Sequence, residues 1–288
     1  MRHSQLKAFH HVAMLGGFSR AAEALHLTQP AISEQVRKLE QEHDVLLFSR
    51  DRKRVTLTEP GEQLFLRTKQ YFEIEQHIHD YLTENSAAVH GILRIVADSA
   101  HHVTDILRAY RQRYPNVTLS LRVGNTEEIL EELRSYNAEI GVAGSPSPGK
   151  DMDILDLGAT EIIGYASKDL LPAGKTSVTV KELSKLPLIF REQGSKTREK
   201  LVQAAAKKKF SLYPAIEAEG REAVREVVAS GAGIGFVSKA EFVNDERLVP
   251  LKIKDLDISM SESLVHLSQR RDVKVIRSFM DCARGLQA

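Results

Sequence analysis

Gln29, Ser33 and Arg37 stand four residues apart, so on a helix an amide, a hydroxyl and a guanidinium share one polar row. Such a row can hydrogen-bond base edges and phosphates in a duplex groove. Arg50, Arg52, Lys53 and Arg54 then crowd the tip between two short β-prone runs, where cations neutralise phosphates without choosing a sequence. A third set, Gly194-Ser195-Lys196-Thr197-Arg198, brings a glycine, two hydroxyls and two cations to the start of a helix, the composition of an anion cradle. The competing reading of that set is a well-capped surface helix with solvated cations.

The first two sets need a particular scaffold. Phe18–Glu40 reads as two short amphipathic helices around a tight break, the outline of a DNA-reading helix-turn-helix. Phe18, Ala21, Ala22 and Leu25 form the first apolar stripe, with Ser19 placed to cap its start. Thr28 stands where the second helix needs its N-cap, Pro30 lies in the first turn, and Ile32, Val36 and Leu39 oppose the polar row. Taken alone, the pair would equally suit an ordinary helical hairpin; a cationic β-wing directly behind it favours DNA. Gln29, Pro30 and Ser33 are therefore assigned to base reading, and Thr28, Arg37, Arg50, Arg52, Lys53 and Arg54 to the phosphates.

Over its first sixty or so residues the chain resembles the LysR-type transcriptional regulators. The matching positions are Leu6, Phe9, Val12, Gly17-Phe18-Ser19, Ala21-Ala22, Leu25, Gln29-Pro30-Ala31, Ser33, Leu39-Glu40, Leu47-Phe48, Arg50, Leu57-Thr58 and Gly61. His26 departs from the glycine many helix-turn-helix units carry in the turn. The resemblance implies double-stranded promoter DNA, a second copy of the chain in a dimer or tetramer, a small-molecule effector and RNA polymerase as partners. It also implies that the glycine-poor helix from Glu59 to about Asn85 is a dimerising linker. Leu64, Tyr71, Ile74, Ile78 and Tyr81 mark its seam, interrupted once by Arg67.

The organisation expected is a winged helix-turn-helix over 1–58, a linker helix over 59–85, a hinge over 86–91 and an effector domain over 92–288. From Ile92 onward strands alternate with helices, which argues an α/β unit with a largely parallel sheet. The fold class is thus α/β with an N-terminal, mainly α winged helix-turn-helix. The effector part resembles the two-lobed domains of LysR-type regulators, similar in fold to periplasmic solute-binding proteins. Lobe 1 takes about 92–161 and 266–288, lobe 2 about 162–265, with two crossings between them.

Ligands in open α/β sheets settle beyond the carboxyl ends of strands, near helix N-termini. That rule selects Ser99, Ala100 and His101 after the first strand, Ser145 after the strand ending at Ala143, and Ser195, Lys196, Thr197 and Arg198 after Phe190. Glu219 and Arg221, beside another helix start, suit a ligand ammonium and an acidic group, or a local ion pair with each other. Glu219–Ser238 (EGREAVREVVASGAGIGFVS), together with the cradle, is similar to regulators associated with aminoethylphosphonate catabolism, which implies a small anionic or zwitterionic effector.

Other chemistry finds little support. Adjacent His101 and His102 diverge and have no HxxxH or CxxC partner nearby, so no metal site is expected. The run Gly231–Gly235 precedes a strand instead of following one, the reverse of a dinucleotide fingerprint, and reads as a helix C-cap and turn. There is no GxSxG elbow, so neither catalysis nor a cofactor is expected. A net charge of +1 advertises no basic field, but residues 1–58 hold nine Lys/Arg against six Asp/Glu. The single Cys282 excludes an internal disulfide framework, and the start MRHSQLKAF has no apolar core for export, so no membrane and a cytoplasmic location are expected. The competing class is a solute-binding or enzymatic α/β protein with an incidental N-terminal helical hairpin.

Overall fold

The computed structural model describes residues 1–51, 54–82, 89–147, 149–172 and 174–287, without the side chains of residues 50, 51, 54, 77 and 80–82. Two compact units result, Met1–Ala87 and Ala88–Ala288. Arg52 and Lys53 lie outside the described residues, as do residues 83–85 of the expected linker helix and 86–88 of the expected hinge. Among the described residues no helix is long and apolar enough to cross a membrane.

In the first unit α1 (His3–Leu15), α2 (Phe18–Ala24) and α3 (Gln29–Glu42) close around Phe9, Val12, Ala21, Ile32, Val36 and Leu39, all essentially inaccessible. The antiparallel wing, β1 (Phe48–Asp51) and β2 (Arg54–Leu57), pairs Phe48 with Leu57 and Arg50 with Val55. Gly61 opens the first turn of α4 (Glu59–Leu82), where a Cβ would sit 2.1 Å from the Leu47 carbonyl oxygen. Only glycine lets the wing's first strand cross so near the linker helix.

One expected cap is not used. α2 begins at Phe18 with Gly17 as N-cap and no side-chain cap bond, so Ser19 sits inside the first turn, past the capping position. Thr28 does cap α3, its hydroxyl accepting from the Ala31 N–H at 3.4 Å.

The second unit runs β3 (Gly91–Ala97), α5 (Thr104–Arg113), β4 (Val117–Val123), α6 (Thr126–Arg134), β5 (Ile140–Gly144), β6 (Met152–Ser167), β7 (Ser177–Val178), α7 (Val180–Leu183), β8 (Ile189–Arg191), α8 (Lys196–Lys207), β9 (Ile216–Ala218), α9 (Gly220–Ala229), β10 (Gly235–Ser238), β11 (Leu248–Ile253), β12 (Ser259–Leu267) and α10 (Lys274–Gln287). A single-turn 3-10 helix, Ala100–Val103, leads into α5, and another, Lys239–Glu241, follows β10. Tyr110, Ile140, Leu264 and Phe279 centre one core. Leu183, Leu188, Phe190, Leu201 and Ile234 centre a second.

The sheet is less parallel than the alternation of elements suggests. β4, β3 and β5 pair in parallel, but β12 pairs antiparallel with both β5 and β6, and β6 antiparallel with β10 and β11. The antiparallel pair β6 and β12 carries the chain from one core to the other. Its register shifts between Glu262 and Ser263, opposite Gly158 at φ 113°. Such a bulge bends the two crossing strands where the lobes meet.

Candidate functional site

The first unit offers α3 and the wing. Burial of Ile32, Val36 and Leu39 turns the opposite face of α3 outward, leaving Gln29, Pro30 and Arg37 exposed and Ser33 half-buried. Arg37 Nε donates to Glu34 Oε2 at 3.0 Å, and Lys38 Nζ stands 3.5 Å from Glu34 Oε1. Buried Glu40 ties α3 to the wing by accepting from the Leu47 and Phe48 N–H groups at 2.9 and 3.3 Å. Thr58 adds a bond from its hydroxyl to the Leu46 carbonyl at 2.6 Å. Arg50 and Arg54 stand on facing wing strands.

α4 divides its apolar residues between two tasks. Leu64, Phe65 and Phe72 pack onto the unit's own core, which takes Leu64 out of the expected seam. Tyr71, Ile74 and Ile78 are 45%, 59% and 55% exposed and follow one another at helical spacing along one face. Tyr81 lies further along the helix, its side chain outside the described residues.

In the second unit the ligand residues chosen from sequence fall into separate cavities. Ser195, Lys196 and Arg198 line a cavity of about 700 Å³ with Gln193, Gly194, Glu127 and Tyr213. Ser99, His101 and Arg221 line another of about 420 Å³ with Tyr165 and Arg191. Ser99, Ala100, Glu219 and Arg221 face a third of about 620 Å³. Glu219 therefore does not share the cavity of the cradle. Ser145 lines none of the three; its hydroxyl contacts Ser261 Oγ at 3.1 Å and accepts from the Ser261 N–H at 3.1 Å.

At the cradle, Ser195 is the N-cap residue of α8, yet its side chain makes no cap bond. Its hydroxyl oxygen is buried and has no hydrogen-bond partner among the described residues. Gly194, at φ 87°, lets the loop approach Asn125, whose Oδ1 would lie 2.8 Å from a Cβ there. Asn125 meanwhile caps α6, accepting from the Glu127 and Glu128 N–H groups. Thr197 is buried. The two cations are partly committed: Lys196 Nζ donates to Glu199, and Arg198 Nη1 to the Arg191 carbonyl at 2.8 Å and Glu217 at 2.6 Å. The solvated-cation alternative thus fails for Arg198, which is 14% exposed.

Between the lobes lies a buried charge network that residue spacing did not reveal. Arg191 Nη1 donates to Asp98 Oδ1 at 2.6 Å, and Arg191 also bonds Glu192. Burial opposes the Arg191 charge, but Asp98 and Glu192 more than offset it and push its pKa up. Arg221 donates to the Asp98 carbonyl and to Asp98 Oδ2, and its Nη2 stands 2.9 Å from Glu241 Oε2. His102 Nε2 donates to Glu241 Oε1 at 3.0 Å, with Glu262 Oε1 at 3.8 Å. Burial disfavours charge on His102, but the Glu241 hydrogen bond and nearby Glu262 outweigh it and raise its pKa. Burial first, and the Glu241 charge second, push the Glu262 carboxyl up to about 7. The hints were an arginine closing the apolar run Leu188–Arg191 and a glutamate, Glu262, within β12 (Ser259–Leu267) just before its apolar half.

Comparison with known proteins places this architecture. The bacterial regulatory helix-turn-helix of the lysR family matches residues 3–62, and the LysR substrate binding domain matches residues 86–288. The RuBisCO operon transcriptional regulator of Allochromatium vinosum is 30% identical over 236 residues, 81% of this chain and 78% of its own length. The transcriptional activator CmpR of Synechocystis sp. is 26% identical over 255 residues, 88% and 84% of the two chains. Full-length OxyR from Pseudomonas aeruginosa superimposes with a TM-score of 0.79 at 20% identity, covering 99% of this chain and 95% of its own. Full-length CbnR complexed with its target DNA gives 0.69 at 18% identity, with 99% of both chains covered.

Proposed function

This chain belongs to the LysR family of DNA-binding transcriptional regulators, and from that premise we propose that it reads promoter DNA as a dimer or tetramer under the control of a small anionic or zwitterionic effector. It is a regulator and not an enzyme. Gln29, Pro30 and Ser33 read bases from the outward face of α3. Thr28, Arg37 and the wing cations Arg50, Arg52, Lys53 and Arg54 hold the phosphates. The CbnR complex with target DNA supports this docking by likeness of fold. Two recognition helices about one helical turn apart need a paired scaffold, and the exposed stripe of Tyr71, Ile74 and Ile78 is its seam.

The observation that carries the effector half is Ser195. A buried hydroxyl with no hydrogen-bond partner among the described residues, at the N-terminus of a twelve-residue helix and lining a cavity, supports an anion as its partner. Lys196 and Arg198, which line the same cavity, complete the anion's surroundings, with the adjacent Thr197 buried and outside the cavity lining. Glu127, across the same cavity, suits an ammonium group, so a zwitterion of the 2-aminoethylphosphonate kind fits the ligand class that the sequence suggests. Ser99, Ala100, His101, Ser145, Glu219 and Arg221 belong to the neighbouring lobe junction, where the effector's preference for one lobe arrangement would shift the population of DNA-bound states.

Calorimetry with 2-aminoethylphosphonate, inorganic phosphate, a sulfonate and an aromatic acid tests the effector reading. Binding of phosphonate that falls at least about tenfold in Ser195→Ala is expected; binding indifferent to Ser195 and Arg198 overturns it. Gel shifts on the chain's own upstream DNA test the DNA-reading assignment. Specific retardation that survives both Gln29→Ala and Ser33→Ala unchanged would remove α3 from base reading.

A further inference from the structure

We propose that His102, Glu241 and Glu262 form a binding site for a divalent transition-metal cation at the junction of the two lobes. One donor atom from each of the three lies within 4.8 Å of the other two. His102 comes from the 3-10 turn after β3, Glu241 from the 3-10 turn after β10, and Glu262 from the crossing strand β12 at its register shift. Three separate pieces of backbone thus converge on one point, which proximity in sequence cannot explain.

Glu262 is the observation that points to a ligand. Its residue is 3% exposed, and among the described residues neither carboxylate oxygen has a hydrogen-bond partner. A carboxylate buried in that state loses its hydration uncompensated unless something cationic faces it. The nearest cation-capable group, His102, stands 3.8 Å away and already donates to Glu241. Arg221 is directed at Asp98 and at the far oxygen of Glu241. Among the described residues, Asp98, Glu192, Glu241 and Glu262 thus face only Arg191, Arg221 and His102, whose proton is already given to Glu241. A dication restores the balance.

The donor set selects the kind of cation. One imidazole nitrogen and two carboxylates suit Zn²⁺, Co²⁺, Ni²⁺ or Mn²⁺ better than Ca²⁺ or Mg²⁺, which prefer all-oxygen shells. The metal takes the place of the proton that His102 Nε2 now gives Glu241. Its consequence is conformational: bound metal ties a turn from each lobe to the strand between them, so it favours one lobe arrangement in the way an effector does. Arg221 holds Glu241 from behind and acts as a positioning residue.

Co²⁺ and Zn²⁺ added to the metal-free, full-length, untagged chain test the site. Uptake of one cation per chain is expected, with visible absorption bands for Co²⁺ that Zn²⁺ displaces. Glu262→Gln keeps the shape of the side chain and should weaken Co²⁺ binding by about 100-fold or more, as should His102→Gln, while His43→Ala on the DNA-binding unit leaves it unchanged. Absence of stoichiometric uptake, or uptake undiminished in both Glu262→Gln and His102→Gln, overturns the proposal. Unfolding curves of the variants accompany the titration, and Glu241→Gln replaces any that fails to fold.

Discussion

Asp98 Oδ1 accepts a 2.6 Å hydrogen bond from Arg191 Nη1, joining the carboxyl end of β3 in one lobe to that of β8 in the other. Both side chains are almost wholly buried, at 1% and 5% exposure. Arg221 adds two further bonds to the same aspartate. Removing Asp98 leaves the buried Arg191 and the partly exposed Arg221 short of a counter-ion. Asp98→Ala should therefore lower the stability of the second unit by about 3–5 kcal/mol in denaturant unfolding, the range for breaking a buried pair from one side. Loss of less than 1 kcal/mol, on the order of an exposed pair, would mean that water fills the gap.

His10 gives the first unit a pH dependence. Its ring lies between Phe65 and Phe72, with centroids 5.4 and 4.8 Å away, and Nδ1 is 3.0 Å from Thr68 Oγ1. Thr68 Oγ1 donates to the Phe65 carbonyl, so it accepts from a neutral imidazole. Burial, assisted by the charges of His11 and Lys69, lowers the His10 pKa to about 4. A histidine depressed in the fold contributes stability that is present above its unfolded pKa of about 6.5 and is lost as pH falls toward 4. Allowing for solvent screening, the loss between pH 7.5 and 4.5 should be about 2 kcal/mol. Hydrogen exchange of α1 amides at both pH values measures it, and His10→Leu should flatten the difference.

His26 adopts φ 53° in the turn between α2 and α3, the left-handed region that glycine occupies without cost. The turn is held by N–H groups of His26 and Leu27 donating to Glu23 and Ala22 carbonyls. Because the backbone geometry is set by these bonds, His26→Gly should raise thermal stability by about 0.5–1 kcal/mol. His26→Val, β-branched at the same φ, should lower it by about 1–2 kcal/mol and weaken DNA binding by misplacing α3. A stable His26→Val with unaltered DNA affinity would show that the turn relaxes independently of the recognition helix.

The parts of this molecule that were legible in the chain are those fixed by local chemistry. Thr28 and Pro30 announce α3, Asn125-Thr126 announces α6, and alternation marks β4 at its observed bounds, Val117–Val123. β6 was not legible over its full length. Only Ile162–Ala166 reads as a strand, because Met152–Thr160 interleaves acids and Gly158 among its apolar residues. The cradle residues Ser195, Lys196 and Arg198 do share a cavity, but Glu219 faces another, a separation that helix-start chemistry alone cannot supply. The buried network was illegible for a simpler reason: His102 and Glu241 meet across 139 residues of sequence.

Glu34 sits on α3 one residue beyond Ser33 and three before Arg37, facing the side assigned to DNA. Its carboxylate takes hydrogen bonds from Arg37 at 3.0 Å and lies 3.5 Å from Lys38, and the Arg37 bond holds its pKa below the usual carboxylate range. It is thus ionised at neutral pH and occupies two cations that phosphates would otherwise claim. Glu34→Gln should release Arg37 and Lys38, strengthen non-specific DNA binding and steepen the dependence of log affinity on log salt by about one to two. Specificity should fall, since the added affinity is common to every sequence. Titrations of operator and random DNA at several salt concentrations separate the two effects. An unchanged slope would mean that Arg37 and Lys38 stand away from the backbone, and Arg37 would then leave the phosphate-contacting set.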